Sequence, residues 1–190
     1  MYTTKKKYIF VVFTAQLLLI TTIWGCSYNK TSPDILYDQQ IATPLNPQTY
    51  RSDCDTLLIT CIDYRYAVAN QEFINETLGL KDNYDHISIP GSIYNLVNPE
   101  TQGLLFSKFE LSVRLHLIKR IVIISHIDCG AYGGSASFGS EIAERETLIT
   151  DLTNARRLLI EKYPTLEVNL YIESLAKEGD GLKVNFEKIP

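Results

Sequence analysis

Short apolar runs rich in β-branched residues alternate along this chain with longer stretches of helical periodicity. Leu57–Thr60, His86–Ile89, Ile121–Ser125 and Val168–Ile172 are runs of strand length, and each is closed by small, polar or turn-forming residues. Between them, Tyr66–Leu78 carries Val68, Phe73, Ile74 and Leu78 and stops at Gly79. Leu104–His116 repeats Leu105, Phe109 and Val113, with Leu117 next in the series. A third stretch starts from Ser140 as N-cap, runs through Ile142, Ile149, Leu152 and Leu159, and ends at Pro164. Strands that alternate with helices, and read as continuous rather than alternating apolar runs, are those of a parallel sheet covered on both faces. The pattern predicts a single three-layer α/β domain over residues 55–190. Its central, mostly parallel sheet has about four strands flanked by helices, and a short tail follows the last strand.

The pattern changes upstream. Lys5-Lys6-Lys7 precedes an almost wholly apolar segment, Tyr8 to Ile23, which ends at Gly25-Cys26. This is the layout of an export signal. A small residue followed by Cys places residues 1–25 as a lipoprotein-type signal peptide, with Cys26 as the lipidated first residue and membrane attachment through it. An uncleaved anchor and an ordinary cleaved signal are the alternatives. Residues 26–54 hold Pro33, Pro44 and Pro47 among polar residues and show no sustained periodicity, so they read as a tether. The expected location is the bacterial cell envelope, periplasmic or at the outer face.

Composition narrows the function classes. Of 190 residues, 45% are hydrophobic and 21% charged, as in an ordinary globular protein, and the formal net charge is −4. With no basic stripe, nucleic acid is not an expected partner. With Cys26 assigned to lipidation, Cys54, Cys61 and Cys129 remain, an odd number. The strand between Cys54 and Cys61 holds them too far apart for a disulfide. A Cys61–Cys129 disulfide stays sterically open and would compete with a metal.

Two motifs carry the candidate chemistry. Cys61-Ile62-Asp63-Tyr64-Arg65 follows the first strand, and His126-Ile127-Asp128-Cys129-Gly130 follows the third. Open α/β sheets place their ligand sites past the carboxyl ends of strands. Cys61, His126 and Cys129 together make the three-ligand set of a catalytic zinc site, with a fourth position left for water or substrate. Each alone reads as a core residue, and the constellation is what points to Zn2+. Asp63 and Arg65 lie two apart and face the same way in an extended segment, so the guanidinium holds the carboxylate ionised and oriented. Asp63 is then a catalytic hydrogen-bond partner for water, or else a fourth ligand that closes the site. Asp128 shapes the His-x-x-Cys turn. His116, beside Lys119 and Arg120, reads as a solvated surface residue.

At these residues the chain resembles the β-class carbonic anhydrases, which carry Cys-x-Asp-x-Arg after one strand and His-x-x-Cys-Gly after another. The resemblance spans residues 55–175. It implies Cys61, His126 and Cys129 as zinc ligands, Asp63 with Arg65 as the active-site dyad, and reversible hydration of carbon dioxide to bicarbonate. It also implies a homodimer or larger assembly. Departures accompany it: the tether stands where many members have an N-terminal helical arm, and the domain is short. Ile89-Pro90-Gly91-Ser92-Ile93-Tyr94-Asn95 stands where the family has an Arg-Asn-Ala-Gly loop, and Tyr64 stands where the family has Ser. Hydrolysis of a related small substrate, carbonyl sulfide or carbon disulfide, and a non-catalytic zinc-binding role are the alternatives.

Overall fold

The computed structural model describes residues 53–190. The segments read from sequence as a signal peptide and, nearly all of it, as a tether lie outside the described residues. The described chain forms a five-stranded sheet in the order β2-β1-β3-β4-β5. Its strands are β1 (Thr56–Thr60), β2 (Tyr84–Ser88), β3 (Arg120–His126), β4 (Glu167–Glu178) and β5 (Gly181–Ile189). The first four are mutually parallel, and β5 pairs antiparallel with β4.

The central strands are buried on both faces, so their side chains divide between two cores. Leu57, Ile59, Ile121, Ile123, Leu170 and Ile172 point to one face. There they meet Leu105 and Phe109 of α3 (Pro99–His116) and Leu148, Leu152 and Leu159 of α4 (Glu141–Lys162). The intervening residues Leu58, Val122, Ile124 and Tyr171 point to the other face and meet Ile74 and Leu80. This is the period-2 alternation of a pleated strand with a helical layer on each side.

Several boundaries differ from the sequence expectation. The predicted tail is β5. The register Glu178↔Gly181 leaves Gly179-Asp180 as a two-residue hairpin loop, with Gly179 at φ 60, a value that favours glycine. The predicted helix Tyr66–Leu78 is broken into a 3-10 turn (Tyr64–Tyr66), α1 (Ala67–Glu72) and a π-helical turn (Phe73–Thr77). It buries Tyr66, Asn70 and Ile74, while Val68 is exposed. A short α2 (Tyr94–Val97) precedes α3, whose N-cap Asn98 accepts from the Glu100 amide. Leu117 ends α3 in the left-handed region at φ 57 and turns outward instead of continuing the stripe. Ser140 caps α4 by accepting from the Ala143 amide, but the buried stripe runs through Glu144 rather than Ile142. Among the described residues no helix is long and apolar enough to cross a membrane.

Strand order positions the site. After β1 the chain moves outward to β2, then crosses over β1 to lay down β3 and β4 on the other side. The order therefore reverses between β1 and β3. A crevice opens outside the carboxyl ends of such a pair.

Candidate metal centre

Cys61 lies just past the end of β1, His126 is the last residue of β3, and Cys129 follows two residues later. The structure brings their donor atoms within 4.8 Å of one another, and all three cysteines of the domain are free thiols. His126 is buried. Its Nδ1 lies 2.9 Å from the Ile127 carbonyl oxygen. A carbonyl only accepts, so Nδ1 carries the hydrogen and Nε2 presents its lone pair. That Nε2 is fully buried and has no hydrogen-bond partner. Tyr66 packs its ring 4.7 Å from the imidazole and donates its hydroxyl to the same carbonyl at 3.3 Å, which fixes the ring's attitude.

The two thiols share one site and are driven apart in acidity. The Cys129 thiol beside it pulls Cys61 toward thiolate, against burial, with help from His126 and the Gly91 amide. The same contact and burial push Cys129 up. The Gly91 amide reaches the Cys61 sulfur at 3.3 Å. It is held there because Ile89 donates to the Thr60 carbonyl at 3.0 Å, which ties the Pro90-Gly91 loop to the end of β1. The Pro90-Gly91 loop thus brings a backbone donor to a candidate ligand sulfur.

Asp63 and Arg65 form a forked pair. Arg65 Nε lies 3.1 Å from both Asp63 oxygens, and Nη2 lies 2.7 Å from Oδ2. This guanidinium, working against partial burial, holds the Asp63 carboxyl below the usual range. Asp63 Oδ2 is 3.9 Å from His126 Nε2, yet Asp63 is outside the converging three-residue set. Arg65 also reaches across to the second motif, with Nη1 2.9 Å from Asp128 Oδ2 and Nη2 3.1 Å from the Asp128 carbonyl. Asp128 adopts φ 62 and accepts from the Ser135 amide at 3.0 Å. The two motifs are therefore bound to each other through one arginine.

Two buried acids at the site were not singled out in the sequence. Glu144, 2% exposed, accepts from the Asp128 amide at 2.7 Å and from the Ser135 hydroxyl at 2.6 Å. It braces the His-x-x-Cys turn from α4. A signal for it existed: Glu144 stands four residues before Leu148 on the same apolar stripe. Glu173 pairs with His126 in the β3–β4 register and is wholly buried. Its Oε1 accepts from Asn70 at 3.3 Å, and burial pushes its carboxyl up to about 8.

Two thiols and an imidazole with an unpartnered buried Nε2 fit Zn2+ in donor type and number. The set opens onto a cleft of about 640 Å³, in whose lining Ile62, Tyr64, Pro90 and Ala131 stand beside Asp63 and Arg65.

Comparison with known proteins follows the same lines. A protein of Rickettsia conorii described as uncharacterized is 31% identical over 145 residues, covering 73% of this chain and 75% of its own length. Another, from Rickettsia bellii, is 31% identical over 130 residues, covering 65% and 79%. Among solved structures, a carbonic anhydrase from Glaciozyma antarctica covers 66% of this chain and 80% of its own at 14% identity and a TM-score of 0.45. One of two tetrameric β-carbonic anhydrases from Sordaria macrospora covers 73% and 82% at 18% identity and a TM-score of 0.44. The family described as "Putative carbonic anhydrase" matches residues 51–178. With well over half of its length matched, the chain belongs to that carbonic anhydrase family.

Proposed function

We propose that this protein catalyses zinc-dependent, reversible hydration of carbon dioxide to bicarbonate. One observation carries the reading. In a chain of the carbonic anhydrase family, Cys61, His126 and Cys129 converge within 4.8 Å beside a carboxylate locked by a guanidinium. These three side chains would hold the ion, and a zinc ion there supplies Lewis acidity that brings the pKa of water near 7. The remaining work falls to the chain. Asp63 stays ionised and accepts a proton-bearing O–H from water, which orients the water's lone pair toward the cleft. Arg65 holds Asp63 in that attitude and neutralises its charge. Ile62, Pro90 and Ala131 on the cleft wall would receive the apolar substrate. Hydration forms one C–O bond as one C=O π bond of carbon dioxide opens and one O–H bond of water breaks, and that proton passes to buffer.

The same reading places the protein in the bacterial cell envelope, tethered through a lipidated Cys26. The basic n-region, the apolar segment and Gly25-Cys26 support it. Metabolic labelling with a fatty acid, lost in Cys26→Ser, tests that part separately.

The activity is tested by stopped-flow hydration of carbon dioxide on the purified protein at several pH values, with zinc content measured on the same sample. Activity that rises with pH, and is lost together with zinc in Cys61→Ser, is the expected result. Full zinc with no hydration at any pH would overturn the enzyme reading in favour of a binding role or of carbonyl sulfide or carbon disulfide as substrate.

A further inference from the structure

At the end of the sheet opposite Cys61, a second set of metal-binding side chains converges. Cys54 stands two residues before β1, Asp85 lies in β2 beside Leu57, and His116 is the last residue of α3. Their donor atoms lie within 4.8 Å of one another. Three separate elements bring them there, and backbone contacts hold them. The Cys54 amide donates to the His116 carbonyl at 3.4 Å. The Asn83 side chain accepts from the Asp55 amide and donates to the Asp55 carboxylate, both at 3.0 Å, and so clamps the start of β1 to the turn before β2. His116 Nδ1 lies 2.7 Å from Asp85 Oδ2. His116, read from sequence as a solvated surface residue, is thus half-buried and paired.

We propose that Cys54, Asp85 and His116 form a second binding site for a divalent cation of borderline softness, Zn2+ foremost, distinct from the site at Cys61, His126 and Cys129. The donor set is one thiol, one imidazole and one carboxylate, each an ordinary zinc ligand. It sits at the carboxyl end of an 18-residue helix, where the helix dipole favours a cation. The His116 side chain is 43% exposed and that of Asp85 26%, so an ion can enter and water can complete its shell. A five-residue strand, roughly 17 Å of backbone, separates this end of β1 from Cys61. On binding, the Cys54 thiol gives its proton to water and the carboxylate enters already ionised.

A nucleophilic triad fits these residues less well. Burial and the Asp85 carboxylate push the Cys54 thiol up, opposite to the lowered pKa that a thiolate nucleophile needs. Nor does a disulfide explain Cys54, which is a free thiol with Cys61 at the far end of the strand. An ion here would pin the start of the domain, where the predicted tether joins it, to the edge strand and to α3.

The test titrates the metal-free full chain with Zn2+ and counts bound equivalents after gel filtration. Two equivalents are expected in the wild type and one in each of Cys54→Ser and His116→Ala, whose carbon dioxide hydration matches the wild type. Cys61→Ser is expected to keep one. One equivalent in the wild type, lost in Cys61→Ser but kept in Cys54→Ser, overturns the second site and leaves the proposed function standing. No binding at all overturns both. If the Cys54 and His116 variants fail to fold, alkylation of Cys54 in the wild type decides: a second equivalent of Zn2+ slows it at least tenfold if the site exists, and an unchanged rate overturns it.

Discussion

Arg65 engages both carboxylate oxygens of Asp63, with Nε 3.1 Å from each and Nη2 2.7 Å from Oδ2. A planar fork matches a carboxylate in this way, whereas an ammonium offers a point charge without the second parallel hydrogen bond. Arg65→Lys should therefore preserve the charge while freeing Asp63 to rotate, toward the metal as well as away from it. Loss of a partner that orients a metal-site group costs roughly 10–100-fold. We expect kcat for carbon dioxide hydration to fall by that order with KM little changed and zinc still bound. Stopped-flow kinetics beside metal analysis checks it, and an unchanged kcat would remove Asp63 orientation from the mechanism.

Glu144 braces the turn between His126 and Cys129 by accepting from the Asp128 amide. Glu144→Leu removes the acceptor and breaks that hydrogen bond, a cost of about 1 kcal/mol. Because that amide belongs to the residue before Cys129, zinc affinity should drop by roughly 10–100-fold as well. Glu144→Gln keeps one oxygen for the amide and should recover most of the affinity. Denaturant unfolding of the metal-free protein, with zinc titration of both variants, separates the two effects.

Physical reasons explain which of these features were legible in the sequence. β1 and β3 are sandwiched between two helical layers, so Leu57–Ile59 and Ile121–Ile124 within the predicted strands are unbroken apolar runs. The motifs that follow them carry the residues that the reversal of strand order brings together. β5 escaped because it is an edge strand whose side chains alternate between exposed and partly covered. Its one clear signal was the Gly179-Asp180 hairpin loop. Glu144 and Glu173 escaped for a different reason. Each is buried because a donor from a distant element, the Asp128 amide or the Asn70 side chain, meets it, and no local pattern encodes such a partner. The pairing of Cys54 and His116 likewise depends on how α3 returns to the start of the sheet.

Tyr132 gives the fold a measurable alkaline limit. Its hydroxyl donates to Asp151 at 2.8 Å, and burial together with that carboxylate pushes the phenol above its ordinary value of 10.0. A group whose folded pKa is raised contributes stability that is complete below the unfolded value and is lost as pH rises toward the folded one. Wild-type stability should thus decline above pH 10, with Tyr132 contributing up to about 1.4 kcal/mol per pH unit. Tyr132→Phe should cost about 1 kcal/mol at pH 7 through the lost hydrogen bond, and should flatten the decline above pH 10. Urea unfolding from pH 7 to 11 checks both, and parallel curves for the two proteins would contradict the assignment.

Gly91 is where backbone conformation and the proposed zinc site meet. It adopts φ +79, and a Cβ there would stand 2.5 Å from Ala131 Cβ and 3.0 Å from Tyr94 Cβ. Neither neighbour is the end of a flexible side chain, so Gly91→Ala forces the loop to shift, on top of the roughly 1–2 kcal/mol cost of a left-handed conformation for a residue with a Cβ. The shift moves the Gly91 amide off the Cys61 sulfur and opens the cleft between Pro90 and Ala131. Gly91→Ala should therefore lower zinc affinity and hydration rate together, whereas Gly103→Ala, in α3 with open space around its Cβ, should leave both unchanged and add helix propensity. Zinc affinity by competition with a chromophoric chelator reads the contrast. Equal affinity in Gly91→Ala and wild type would show that the amide on Cys61 plays no part in holding the metal.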